Sequence, residues 1–366
     1  MKIFDSITDY RNAIVAAGGA TPSRLPAATL SVLQARLNFQ IGPQFHSLYD
    51  LSSKPAHVWS EYILEKDALV LLSRINPLET QRLTADKLRF TAHCDKNKLP
   101  TVPILFLIDN KPNEHSEQYK NATTLEEWRT ALNTCPDQIF AKIINGAHGD
   151  GAFAAHHDGG SWHFAGQSGN EEDFYNFCMD RLGNRRGWLF QPRISPHPTL
   201  SQIMCPGALG TIRAVTHTSS DGSRICLPLL RIPAGGNVTD NFSLGSAGNL
   251  IAAIDIDTGT LHEAYFSSNR AWPTMKATDT HPDTGARITG RKVPFWNETK
   301  KLLLNAQAVT PTPRTLGWDI AITANGPKIV EANSLYGTDI FQVAYNRGVR
   351  ADLTSIISAC DASPSM

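Results

Sequence analysis

Apolar residues recur at three- and four-residue spacings along Leu25 to Leu37 and Val58 to Ile75, the stripe of amphipathic helices. The first 85 residues therefore read as a mainly helical leading unit. Asp86 to Leu99 opens on an acid, carries apolar Leu88, Phe90 and Ala92 and runs into Pro100, which predicts a helix and its stop. The period then changes. Thr101 to Ile108, Gln138 to Ile144, Trp162 to Phe164 and Trp188 to Ile194 read as strands, with a helix over Glu171 to Leu182. After Gly207, strands punctuated by Gly and Pro are joined by one helix near Trp296 to Ala308. This order is mixed and lacks an internal repeat, so the fold class is α+β and not regular βαβ alternation. The expected division is a helical unit over 1–85, a central unit over 86–190, a carboxyl unit over 191–352 and a tail over 353–366, frayed from Ala362.

Composition narrows the function classes. The chain has 366 residues, enough for two or three units with real cores. Its 34 basic residues balance 34 acidic ones, so its field gives no reason to expect nucleic acid. No run approaches the ~18 apolar residues of a spanning helix, and Met1 to Tyr10 lacks the order of a secretory signal. Six cysteines (Cys94, Cys135, Cys178, Cys205, Cys226, Cys360) are scattered without a close pair, which reads as reduced thiols and a cytoplasmic protein that uses no membrane.

Two segments carry candidate chemistry. Phe140-Ala-Lys142-Ile-Ile144 runs into Asn145-Gly-Ala-His-Gly-Asp-Gly-Ala-Phe153. A strand lysine beside Gly146, Gly149 and Gly151 can set its ammonium against phosphate oxygens while bare N–H groups close over them. It is not a P-loop, and the GxGxxA match at Gly149 to Ala154 leads into strand, not helix. A surface hairpin with an incidental lysine fits the segment as well. The second segment is Gly317-Trp-Asp319-Ile-Ala-Ile-Thr323, a turn at Ala324-Asn-Gly-Pro327, and Lys328-Ile-Val-Glu331-Ala-Asn333-Ser334. Glu331 and Asn333 share a strand face and, with Asp319, could hold magnesium through oxygen ligands. For Asp319 to reach that face, an odd loop or a bulge is needed, and Pro327 favours the odd loop. A solvated hairpin is the other reading.

Over residues 80 to 350 these motifs together resemble the ATP-grasp superfamily, and within it the sugar-transfer associated ATP-grasp group. The likeness rests on Asp86-Lys87 before Leu99-Pro100, on Lys142 to Gly151, Thr211-Ile-Arg213, Asp319 and Glu331-Ala-Asn333. Branch likeness adds Asp240-Asn-Phe-Ser-Leu-Gly245, Ile254-Asp255, His281-Pro-Asp-Thr-Gly285, Val293-Pro-Phe-Trp296 and Gly317-Trp-Asp319. The resemblance implies an ATP-grasp fold: a leading helical unit, a central lid-bearing subdomain and a carboxyl subdomain holding magnesium. It implies that Lys87 and Lys142 contact ATP phosphates and that Gly146 to Gly151 cover them. Gln191 to Ile194, including Arg193, would form the adenine hinge, although many relatives have Glu in place of Gln191. Arg213 would steady the transferring phosphoryl group, a task its permanent charge and planar fork suit.

The implied function is an ATP-dependent carboxylate–amine ligase working through an acyl phosphate, with ATP and Mg2+ as cofactors and a small acid and amine as substrates: an amino acid, a peptide or a sugar-linked compound. A phosphotransferase and a degenerate nucleotide-binding partner are the alternatives. Substrate contacts are expected at Arg291, Asp283, Asn241 and Ser243; among Asp283, His281 and Asp255 the sequence selects no general base, and a plain turn role for His281 to Gly285 stands beside it. His156, His157 and His163 lack a partner spaced for a metal, and no GxSxG supports a serine hydrolase. Trp272, Trp296 and Trp318 read as core or pocket wall, and Arg185-Arg186 as a solvated face.

Overall fold

The computed structural model describes residues 5–146 and 151–362. Thirteen strands among them form two antiparallel sheets. The smaller contains β1 (Phe106–Asp109), β2 (Gln138–Ile143), β3 (Phe153–Asp158), β4 (Ser161–Phe164), β5 (Gln167–Gly169) and β6 (Gly187–Pro192), in the order β1-β6-β2-β3-β4-β5. The larger contains β7 (Thr211–Ser219), β8 (Gly222–Ile232), β9 (Leu250–Ile254), β10 (Leu261–Phe266), β11 (Lys276–Thr278), β12 (Thr315–Thr323) and β13 (Gly326–Asn333), in the order β11-β10-β9-β8-β7-β12-β13.

Period-two burial builds the small sheet. Ile139, Ala141 and Ile143 of β2 point inward, and Phe140 and Lys142 alternate to the opposite face. The inner face packs on helices Leu125–Leu132 and Glu171–Leu182, which start at capping boxes on Thr124 with Glu127 and on Asn170 with Asp173. An aromatic cluster fills the space between: Phe190 stacks on Phe106 at 4.4 Å and meets the edge of Trp128 at 5.3 Å.

The large sheet is covered on both faces, so β12 is buried along its whole length. One face packs Trp318 and Ile320 against helix Trp296–Ala308. The other packs Val215, Leu229 and Ile251 against Trp59 and Leu72 of the leading helices, against Ile63 in the link between them, and against helices Asp339–Ala344 and Arg350–Ala362. The region from residue 353 therefore continues a helix to Ala362, and it buries Leu353, Ile356, Ile357 and Cys360.

Two predicted elements differ. The helical stripe from Val58 to Ile75 breaks into a short turn of helix over Ala56–Glu61 and a helix over Glu65–Ile75. Tyr62, Ile63 and Leu64 between them are all buried, which one helix face cannot achieve for three successive residues, and the Gln342 side chain takes both the N–H and the C=O of Ile63. Likewise, regular strand is confined to Phe106–Asp109 within the β-rich run from Thr101, whose first residue makes only a single bridge, to Ile329. Phe190→Ala should cost about 3–5 kcal/mol, read as a lowered urea midpoint; an unchanged midpoint would mean that the aromatic cluster does not hold the small sheet.

Candidate active site

Lys142 stands on the face of β2 opposite the aromatic core, with its Nζ 5.7 Å from the Phe140 ring centroid. Burial lowers its pKa; the charge of Glu331 opposes that shift and Lys87 adds to it. Lys87 opens helix Lys87–Lys96, which Asp86 caps through its side chain. The Lys87 N–H donates to Ile144 O at 3.2 Å and its Nζ to Gly146 O at 2.5 Å, so the helix end is tied to the end of β2. Glu331 lies 3.9 Å from the same ammonium. Arg186 does not form a solvated face with its neighbour. It donates to Asp86 Oδ2 at 2.6 Å and to buried Asp109 at 2.8 Å, because two carboxylates flank the turn into β6 and Asp109 cannot be left uncompensated.

In the large sheet, Glu331, Asp319 and Arg213 stand side by side on β13, β12 and β7. Asp319 reaches the face of Glu331 through a bulge, not through an odd loop. Thr323 pairs with Gly326 across a two-residue turn, and the register then shifts between Asp319 and Ile320, leaving Val330 as the extra residue. Pro327 does not exclude the short turn because it lies one position beyond it, opposite Ile322. Arg213 grips Asp319 with Nε on Oδ1 and Nη2 on Oδ2 at 2.9 Å. Arg231 of β8 places Nη2 3.0 Å from the same Oδ2 and Nε 3.3 Å from Asp240 Oδ2. Asp240 also accepts the N–H and hydroxyl of Thr211, at 2.8 and 2.7 Å. Burial alone would raise the Asp319 pKa, but the two arginines outweigh it and hold the group ionised.

A cavity of about 620 Å³ joins these groups. From the small-sheet side it is lined by Lys87, Lys142, Gly146, Gln191, Arg193 and Ile194, and from the large-sheet side by Arg213, Asn241, Ser243, Asp319, Glu331 and Asn333. Gln191 donates its side-chain amide to Val102 O at 2.8 Å and Arg193 its N–H to Gln138 O at 3.0 Å, while the main chain of Ile194 makes no hydrogen bond to a described residue. Gly149 lies outside the described residues. Gly151, at φ +75°, packs near Ile143 and Trp188 and does not line the cavity. Arg291 and Asp283 also lie elsewhere: Arg291 holds Thr199 O and Gln202, and Asp283 accepts from Gly235 N–H and Cys205. His281 Nδ1 accepts from Asp283 and Thr284, and Asp255 accepts from Thr258, both within turns.

Sequence reasoning missed Arg231, Thr211 and Asp240 as a network, and Glu65 and Asp339 at another part of the cavity wall. A charged residue inside the apolar run Leu229-Leu230-Arg231-Ile232 is the one local signal for Arg231. Magnesium commonly uses one or two carboxylates, substrate phosphates and water. Glu331, Asn333 and Oδ1 of Asp319, which accepts from Arg213 Nε alone, fit that donor set; Oδ2 is already shared by two arginines. Among the described residues no group of three or more His, Cys, Asp or Glu is placed to hold a metal by itself, and no helix is long and apolar enough to cross a membrane.

The family model for sugar-transfer associated ATP-grasp matches residues 68–358. The chain belongs to that family. Its fold is the α+β ATP-grasp fold. Among solved structures it is similar to the phosphoribosylamine–glycine ligase of Thermotoga maritima (11% identity, TM-score 0.47, 80% of this chain and 58% of that chain). It is also similar to the D-alanine–D-alanine ligase of Coxiella burnetii (10%, 0.43, 78% and 59%) and to the biotin carboxylase of Campylobacter jejuni (9%, 0.42, 82% and 52%). The chain thus spans less than two thirds of the length of each. No curated protein sequence matches it.

The ATP-grasp cavity also has an acid with an unusual titration. Burial pushes the Asp339 carboxyl up from 3.8 to about 6; the Tyr49 hydroxyl donates to it and pulls the other way, and Glu65 adds a smaller upward push. The folded chain thus keeps a proton that the unfolded chain releases, so this contribution favours folding at low pH and is lost as pH rises through about 6. Asp339→Asn, neutral throughout, should gain on wild type by on the order of 2–3 kcal/mol between pH 4 and pH 7, measured by urea unfolding at both; parallel profiles would contradict this.

Proposed function

We propose that this ATP-grasp protein is an ATP-dependent carboxylate–amine ligase. One observation carries the reading: Lys87, Lys142, Glu331 and Asn333 line the same cavity, although they come from a helix, the smaller sheet and the larger sheet and are up to 246 positions apart in the chain. A triphosphate and an attacking carboxylate are both anions. Bringing them together needs fixed positive charge in a partly dry cleft, where it acts more strongly than in water.

In this reading Lys87 and Lys142 bind the ATP phosphates, and the main chain at Ile194 is free to meet the base. Glu331, Asn333 and Asp319 Oδ1 would hold Mg2+, which when bound neutralises phosphate charge. A carboxylate oxygen of the acid attacks the γ-phosphorus, and the bond to the β-γ bridging oxygen breaks, with its electron pair leaving on ADP. An amine nitrogen then attacks the carbonyl carbon of the acyl phosphate. Inorganic phosphate departs with the electrons of the cleaved C–O bond, and the amine loses a proton to a base. Arg213, its inner edge fixed by Asp319, steadies the phosphoryl oxygens as charge moves among them.

Lys142→Ala and Glu331→Ala should each lower ADP formation by at least about a hundredfold while leaving the far-UV circular dichroism unchanged. The assay screens carboxylic acids with ATP, Mg2+ and hydroxylamine, which traps an acyl phosphate as its hydroxamate. ADP formation at the wild-type rate in either folded variant would rule the reading out.

A further inference from the structure

Among the described residues five acids line the cavity: Glu65, Asp240, Asp319, Glu331 and Asp339. Three of them are faced by cations. Arg213 and Arg231 hold Asp319, Arg231 also meets Asp240, and Lys87 stands by Glu331. The other two are not. The side chain of Glu65, half-buried at the start of helix Glu65–Ile75, makes no hydrogen bond or ion pair with a described residue. Asp339 is 5% exposed and takes the Tyr49 hydroxyl on Oδ1, while its Oδ2 has no partner among the described residues. Oδ2 does not belong to the fully buried polar atoms left without a partner, so it reaches the cavity that its residue lines.

A carboxylate withdrawn from water and met only by a neutral hydroxyl gains most from a ligand that brings positive charge. Its geometry is set before such a ligand arrives. The Gln342 side chain donates to the Tyr49 hydroxyl oxygen at 2.9 Å and is itself held by the N–H and C=O of Ile63, so Tyr49 fixes one edge of Asp339 and leaves the other open. Glu65 lies close enough for its charge to act on Asp339, which makes this end of the cavity doubly acidic. A second anionic group placed here would be repelled by both acids, whereas an ammonium would be attracted by both.

We propose that Glu65 and Asp339 form the seat of the amine substrate, which enters as a primary ammonium and carries no carboxylate beside its nitrogen, as in a diamine or an amino sugar and unlike an α-amino acid. The proposal rests on the ligase reading above and adds the class of amine to it. Before attack the ammonium gives one proton to Asp339 Oδ2: the N–H bond breaks with its electron pair left on nitrogen, and that pair forms the bond to the acyl carbon. The further proton that the nitrogen sheds leaves with the phosphate.

The probes are ethanolamine and glycine, amines of similar basicity that differ in a hydroxyl against a carboxylate. Each replaces hydroxylamine in the assay of the full chain with ATP, Mg2+ and an acid that wild type converts to its hydroxamate, and kcat/KM for the amine is read from ADP release. Wild type should favour ethanolamine by at least about tenfold. Glu65→Gln and Asp339→Asn should each narrow that ratio by at least about threefold, and Glu65→Lys should move it towards glycine. Either site serves if a variant of the other proves unfolded by circular dichroism. A ratio unchanged in the folded variants would overturn the proposal, because a residue that only supports the cavity wall slows both amines alike. So would wild type that prefers glycine, or that makes hydroxamate but uses neither amine. Wild type that makes no hydroxamate from any acid of the panel would remove the ligase reading itself, and the proposal with it.

Discussion

A carboxylate buried in the middle of a sheet must be compensated where it stands. Asp319 is 4% exposed on β12, which is paired on both sides within the larger sheet, and its ionised state depends on Arg213 and Arg231 from the next two strands, β7 and β8. That requirement organises the site. It fixes both guanidinium groups by their inner edges, draws Asp240 and Thr211 into the same network, and leaves Glu331 and Asn333 on the neighbouring strand facing the cavity.

The smaller sheet supplies the complementary half. Period-two alternation sends Ile139, Ala141 and Ile143 into an aromatic core and turns Lys142 to the cavity. Lys87 arrives from a helix whose cap is held by Arg186 and, through it, by Asp109 at the end of β1. Each lysine is therefore anchored by features that stabilise the small sheet, and each acid by features that stabilise the large one.

Much of this was legible locally because period and capping are local properties. The helices at Glu171–Leu182 and Trp296–Ala308 and the strand bearing Lys142 follow from spacing alone. So does the shared face of Glu331 and Asn333. The bulge at Val330 was not, since it reflects pairing with β12 and not the residues of β13 themselves. Arg186 beside Arg185 reads as a basic doublet until Asp86 and Asp109, 100 and 77 positions away, close on it. Arg231 is similar: a lone charge in an apolar strand announces a partner without naming it, and its partners sit on other strands and loops. Arg291 and Asp283 show the converse, lying away from the cavity that holds most of the other candidate residues. They lie in motifs of the branch, yet their side chains are spent on structural partners outside the cavity.

The most direct test of the account is the anomalous scattering of manganese in a crystal grown with β,γ-imido-ATP. The account predicts a manganese peak at Glu331 and Asn333 that contacts the same triphosphate whose oxygens lie within hydrogen-bond reach of Lys87 and Lys142. A nucleotide seated outside this cavity, or a metal peak on the nucleotide but remote from Glu331, would contradict it.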